Sequence, residues 1–144
     1  MLTSNSLSEL PVFRINPNDS NKFAVLFDNI SEKLPFISVI EIFDKGGCTP
    51  PNLHKTAYEM FFVLQGKGFV KSGDDAVSFS TGMSFVVPPG RWHEVTNVSD
   101  SRLYTLTIMV PDEDFLALIR SGDADTLDAE DIRVITRSTA NGVF

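Results

Sequence analysis

Three side chains in this sequence have the types and setting for metal chemistry. His54 and His93 are the only histidines in the chain. Each stands at the entrance of a strand-like run beside a Pro/Gly turn, in PPNLH ahead of YEMFFVL and in VPPGRWH ahead of EVTNV. Glu59 lies inside the first of those runs. Strand alternation puts it with Phe61 and Val63 on one face and leaves Met60, Phe62 and Leu64 on the other, so both faces are apolar. A carboxylate in that setting is costly to bury unless it is paired, hydrogen-bonded or metal-bound. Two imidazoles and a carboxylate are a ligand set that leaves open positions on a metal. A lone histidine is more often a surface or core residue, but two of them beside an embedded glutamate favour the ligand reading. Simple alternation places His54 and Glu59 on opposite faces, so a bend or bulge within Lys55–Tyr58, at Thr56 and Ala57, is expected to bring them together.

The elements that must position these groups are short strands. From Lys22 onward come KFAVLF, FISVIEIF, EMFFVL, GFVKS, AVSFS, MSFVV, HEVTNV and LYTLTIMV, rich in β-branched and aromatic residues and divided by Gly, Pro, Asp or Asn. No helical pattern interrupts them before Val110, which predicts an all-β antiparallel barrel or sandwich rather than βαβ units. Residues 1–22 read as an N-terminal arm, with Val12, Phe13 and Ile15 as a short strand. Residues 23–111 read as the barrel and 112–144 as a C-terminal helical segment and tail. There Asp112, Glu113 and Asp114 make the acidic first turn of a helix carrying Phe115, Leu116, Leu118 and Ile119, with Gly122 at its stop. Asp128 is expected to cap one further turn over Ala129 to Ile132.

Two stretches carry a resemblance. Residues 46–66, GGCTPPNLHKTAYEMFFVLQG, and 82–97, GMSFVVPPGRWHEVTN, resemble the two motifs of the cupin superfamily, G-x5-H-x-H-x3,4-E-x6-G and G-x5-P-x-G-x2-H-x3-N. Gly82, Pro88, Gly90, His93 and Asn97 fill every fixed position of the second motif. In the first, Gly46, His54, Glu59 and Gly66 match, and Asn52 stands where the family has its first histidine. The resemblance implies a double-stranded β-helix, or jelly-roll, barrel with a short C-terminal helix. It also implies one divalent metal ion (iron, manganese, nickel, zinc or copper) held by His54, Glu59 and His93. Asn52 would coordinate loosely, hydrogen-bond a bound water, or shape the turn.

Among the remaining side chains, Phe61, Val63, Phe85, Arg91, Tyr104 and Leu106 are pocket-lining candidates. Arg91 could clamp a substrate carboxylate, although a turn arginine is usually solvated. Cys48 reads as a small inert hydrophobe, and Trp92 as a packing or interface residue. The first functional expectation is a dioxygenase-like oxidoreductase acting on a small organic molecule. It is favoured because the motifs show no second acid or base for proton-transfer chemistry. The alternatives are a Lewis-acid lyase or isomerase, and a non-catalytic module that binds or senses a small ligand.

Composition narrows the rest. A chain of 144 residues with 42% hydrophobic residues can fill one core. The formal charge is −7, and eight of the 19 acids fall between Asp112 and Asp131, with no basic stripe anywhere. Nucleic acid and anionic membrane surfaces are therefore not expected partners. One cysteine and the absence of a secretion-signal pattern lead to the expectation of a cytoplasmic protein. No apolar run approaches the roughly 18–20 residues of a membrane helix. A homodimer is expected, with residues near 10–16 adding a strand to a neighbour.

Overall fold

The computed structural model describes residues 2–137; Met1 and the tail expected after residue 137 lie outside the described residues. The strands are β1 (Val12–Arg14), β2 (Asn21–Phe27), β3 (Ile37–Phe43), β4 (Tyr58–Gln65), β5 (Lys67–Ser72), β6 (Asp75–Ser80), β7 (Ser84–Val87), β8 (Glu94–Asn97), β9 (Leu103–Val110) and β10 (Asp123–Ala124). Two helices follow the barrel, α1 (Phe115–Arg120) and α2 (Ala129–Thr136). Each run read as a strand from the sequence is one. The strands form two antiparallel sheets, β10-β1-β2-β3-β9-β4-β7 and β6-β5-β8, as a jelly-roll barrel.

The barrel interior is built by period-two alternation. Phe43, Phe61, Val63, Val70, Phe79, Val95 and Leu103 form one buried cluster, and Phe23, Val25, Ile37, Val39 and Met109 form another. The second is closed by Leu116 and Ile119 of α1. Strand β3 is buried along its whole length because its other face is covered as well. Ala24, Ile40, Ile42 and Tyr104 pack outside the sheet with Leu127, Val134 and Ile135. The expected single turn at Ala129–Ile132 is thus a full helix, and it completes a second apolar layer on the outer face.

Helix α1 does stop at the expected place, with Gly122 just past its cap and donating to the Ile119 carbonyl at 3.1 Å, but this glycine is not in the left-handed region. A Cβ there would lie 2.1 Å from the Arg14 carbonyl oxygen, so the glycine allows β1 to pass closely. The arm is also folded onto its own chain, with β1 paired to β2 on one side and to β10 on the other. Strand β1 therefore offers no free edge to a neighbour. Strand β10, only two residues long, carried no signal in the sequence.

The outer layer is pinned by a buried ion pair. Lys22 Nζ lies 2.6 Å from Asp131 Oδ2 at the start of α2 and donates to the Thr126 carbonyl at 2.9 Å. Asp131 also accepts from Tyr104 Oη at 2.8 Å and Arg102 Nη1 at 3.0 Å. Removing one member of such a pair leaves a buried charge uncompensated. Asp131→Ala is expected to cost about 3–5 kcal/mol in denaturant unfolding. A loss under about 1 kcal/mol would show that Lys22 escapes to water when its partner is removed.

Candidate metal centre

Backbone hydrogen bonds between the two motif stretches set the histidines in place. Asn52 and His93 exchange both of their backbone bonds, at 3.0 and 2.9 Å, as an isolated antiparallel bridge. Gly90 N–H donates to the His54 carbonyl at 2.7 Å, from a turn in which Gly90 has φ +78°, a conformation that favours glycine. The bend expected within Lys55–Tyr58 is a loop rather than a bulge. Its successive N–H groups at Lys55, Thr56 and Ala57 all donate to the Glu113 carboxylate, at 2.6, 3.2 and 2.9 Å. Such a nest of amides stabilises an anion, and here the anion comes from the segment leading into α1. Desolvation works to raise the Glu113 pKa, but the three backbone hydrogen bonds together outweigh it and hold the carboxyl below its ordinary value. The irregularity that β4 does contain lies further on, between Val63 and Gln65.

The result is a convergence on one atom. His54 Nε2 and His93 Nε2 each lie 3.0 Å from Glu59 Oε2. Glu59 is 5% exposed and His93 3%, and ligand atoms of all three lie within 4.8 Å of one another. Burial works to raise the Glu59 pKa, but the hydrogen bonds and charges of the two histidines outweigh it and hold the carboxyl below its ordinary value. For His93, burial works downward, and the contacts with Glu59 and the Arg91 carbonyl outweigh it, giving a raised pKa.

The donor chemistry fits a cation. His93 Nδ1 lies 3.1 Å from the Arg91 carbonyl oxygen, which can only accept, so Nδ1 carries a proton. In neutral His93 the Nε2 lone pair then faces an anionic oxygen. That arrangement requires either a protonated imidazole or a cation shared by the two atoms, and a carbonyl partner on the far nitrogen is the usual support of a ligating histidine. Asn52 adds a second sign. Its Nδ2 donates to the Pro50 carbonyl at 3.1 Å, while its buried Oδ1 has no partner among the described residues. A buried carbonyl oxygen left unsatisfied is costly unless a water or ion meets it. The residues present therefore suit a divalent metal held by His54, Glu59 and His93, with the Asn52 oxygen available nearby.

His54, Glu59 and Asn52 line a cavity of about 320 Å³. So does a residue that the sequence reading missed. Glu41, on the inner face of β3, is buried and accepts from Asn21 Nδ2 at 3.0 Å and from Thr107 Oγ1 at 3.4 Å. Desolvation first, and the Glu59 charge second, push its pKa up to about 8 against the lowering effect of the two hydrogen bonds. The signal was available, since a carboxylate inside ISVIEIF is as anomalous as one inside YEMFFVL. Beyond the triad, the two motif stretches bring no second carboxyl or imidazole to the cavity, but Glu41, outside both of them, brings a carboxyl there.

The pocket-lining candidates do not line this cavity. Phe61 and Val63 are core residues, and Phe85 stacks on Phe61 and Phe79 with ring centroids 4.7 and 5.0 Å apart. Arg91 lies at the surface, 2.8 Å from Asp75. Tyr104 and Leu106 face outward into the layer beneath α2, because the inner face of β9 carries Leu103, Thr105, Thr107 and Met109. Trp92 is exposed. Cys48 is an exposed thiol at the cavity wall rather than a core hydrophobe. The cavity is closed instead by the arm, through Ile15, Asn16 and Asp19, and by Phe115 and Leu118 of α1.

With this geometry in view, residues 39–109 match a family model described as a cupin domain. No curated protein sequence matches the chain. Solved structures of like fold include KdgF from Halomonas sp., with 18% identity, TM-score 0.68, 81% of this chain covered and 99% of that one. A predicted oxalate decarboxylase from Thermotoga maritima shows 17% identity and TM-score 0.67, with 76% and 99% covered. An RmlC-like cupin from Shewanella frigidimarina shows 20% identity and TM-score 0.65, with 80% and 96% covered. At these identities the likeness is one of fold.

The Glu41 pKa makes stability depend on pH. Folded protein keeps this proton up to about pH 8, whereas an unfolded glutamate releases it near 4.5. The unfolded chain binds fewer protons across that window, so this group lowers stability as pH rises from about 4.5 to 8. In metal-free protein, the stability of Glu41→Gln relative to wild type should rise across the window by on the order of a few kcal/mol and level off above it. Urea midpoints whose difference between the two proteins stays constant from about pH 5 to 9 would rule this out.

Proposed function

This chain is a small cupin, and from that premise we propose that it is a metal-dependent enzyme acting on a small organic molecule. His54, Glu59 and His93 are the protein ligands, and Glu41 is the proton carrier. The observation that carries the reading is the meeting of two imidazole nitrogens on one buried carboxylate oxygen, 3.0 Å from each. A divalent metal held there would supply Lewis-acid polarisation of a carbonyl, or dioxygen activation if it is redox-active. Phe23, Phe115 and Leu118 keep water from one side of the bound molecule. Glu41, protonated at neutral pH, can deliver a proton to the substrate and take one back, and Asn21 and Thr107 fix the direction its carboxyl presents.

Lyase or isomerase chemistry by Lewis-acid and proton transfer is the reading this arrangement supports best, since Glu41 provides the proton carrier. Dioxygenase-like oxidation is the second reading, supported by a ligand set that leaves open positions and by an apolar wall. For assembly, the outer face of β4 and β7, where Tyr58, Met60 and Val86 are exposed beside the free edge of β7, replaces the arm as the proposed homodimer contact. Light scattering should give a dimer that Val86→Asp splits; a monomeric wild type sinks that contact.

Elemental analysis and metal titration of untagged protein should give about one divalent ion per chain, with affinity reduced more than about tenfold in His54→Ala and His93→Ala. Asn52→His should bind more tightly. Failure of wild type to take up any divalent ion overturns the reading. A screen of small carbonyl and hydroxy compounds then separates the chemistries. Oxygen-independent turnover by Zn(II)-loaded protein, lost in Glu41→Gln, identifies the Lewis-acid enzyme. Oxygen uptake confined to the Fe(II) form identifies the dioxygenase. Tight ligand binding without turnover in either form identifies a binding module.

A further inference from the structure

The charge of the cavity wall is one-sided. Asp19 and Glu59 are its charged residues, Glu41 beside them keeps its proton at neutral pH, and among the described residues no lysine or arginine lines it. Arg14, on the strand leading into it, is spent elsewhere. It donates to the Asp19 carbonyl at 2.6 Å and pairs with Asp44 at 3.4 Å and Asp125 at 3.1 Å. Its apolar lining is made by Ile15, Phe23, Phe115 and Leu118, and beyond the triad and Asn52 its uncharged polar side chains are Asn16, Asn21 and Thr49. Phe23 and Phe115 meet edge to face, with centroids 5.7 Å apart and planes at 88°. An anionic group on a ligand needs a cation or donors to offset its desolvation, and here the metal would be the only cation. A second anionic group among the apolar side chains would instead meet phenyl rings and the Asp19 carboxylate, with no cation to offset it.

We propose that the cavity takes a molecule with one metal-binding head, neutral or singly anionic, and an uncharged aryl or branched-alkyl tail, and that it rejects molecules with a second anionic group. The head rests on the metal reading above, and the tail rests on the cavity wall alone. Dicarboxylates, sugar acids that carry a further phosphate, and phosphorylated metabolites are excluded as a class. The tail packs between α1 and the arm, which makes Phe115 and Leu118 the residues that set specificity.

Two matched probes test this by calorimetry. They are 3-phenylpropanoate and 3-(4-carboxyphenyl)propanoate, which differ only in an anionic group at the far end. With Zn(II)-loaded protein of measured metal content, the first should bind more than about tenfold tighter. Leu118→Lys, a change at a half-exposed position, should shrink that preference by placing a cation beside the tail. A metal-free arm keeps the test independent of the metal. There the neutral 3-phenylpropan-1-ol should shift the Phe23 and Phe115 ring resonances, and the dicarboxylate should not. If metal uptake fails, the metal reading falls, and the metal-free arm alone decides the tail. Equal binding of the two carboxylates to loaded protein, or ring shifts with the dicarboxylate in metal-free protein, overturns the proposal.

Discussion

Glu59 must be compensated where it stands, and much of the site follows from that requirement. Its carboxylate lies on the inward face of β4 between strands β7 and β9, with Phe61 and Val63 next along the same face. An anion there loses its hydration and regains nothing from hydrocarbon, so it persists only with donors or cations brought to it. Both histidines of the chain are brought to it, and they come from segments that are not part of β4. The Gly90 turn, the Asn52–His93 backbone pair and the amide nest on Glu113 hold those segments in place.

The barrel separates two kinds of buried charge. Outside the sheet, Lys22, Asp131, Arg102 and Tyr104 satisfy one another, and the Tyr104 pKa rises through desolvation and its hydrogen bond to Asp131. That network is closed and anchors α2. Inside, the balance is left open. Glu41 and Glu59 share one cavity wall, and among the described residues Asn52 Oδ1 lacks a partner and no lysine or arginine lines the cavity. Closed networks stabilise a fold, whereas an incompletely balanced one facing a cavity is where an added ion or ligand gains the most.

The segments at the two chain ends, which the sequence presented as an arm and a tail, are parts of the cavity and of the core. Residues 15–21 and α1 close the cavity beside the triad, and α2 covers the outer face of β2, β3 and β9. Glu113 links these regions, because the residue that steadies the loop after His54 lies just ahead of α1. A rearrangement of α1 would therefore reach both the specificity wall and the metal-binding loop.

Much was legible in the sequence because it is local. Strand runs, turn glycines and prolines, and the acid within YEMFFVL are read from neighbours along the chain, and they led to the barrel and to His54, Glu59 and His93. Facing was not legible in β3 and β9. Alternation assigns residues to two sets, but where both sets are apolar it does not say which one points inward. The covering of the outer face by α2 makes both sets largely apolar in FISVIEIF, and in LYTLTIMV it makes the outer set more apolar than the inner one, which holds Thr105 and Thr107. Tyr104 and Leu106 were thus expected in the pocket and lie outside it, while Glu41 was passed over and lies within. That choice belongs to the tertiary structure, because the register of β3 and β4 against β9, together with the docking of α2, decides which face is the interior.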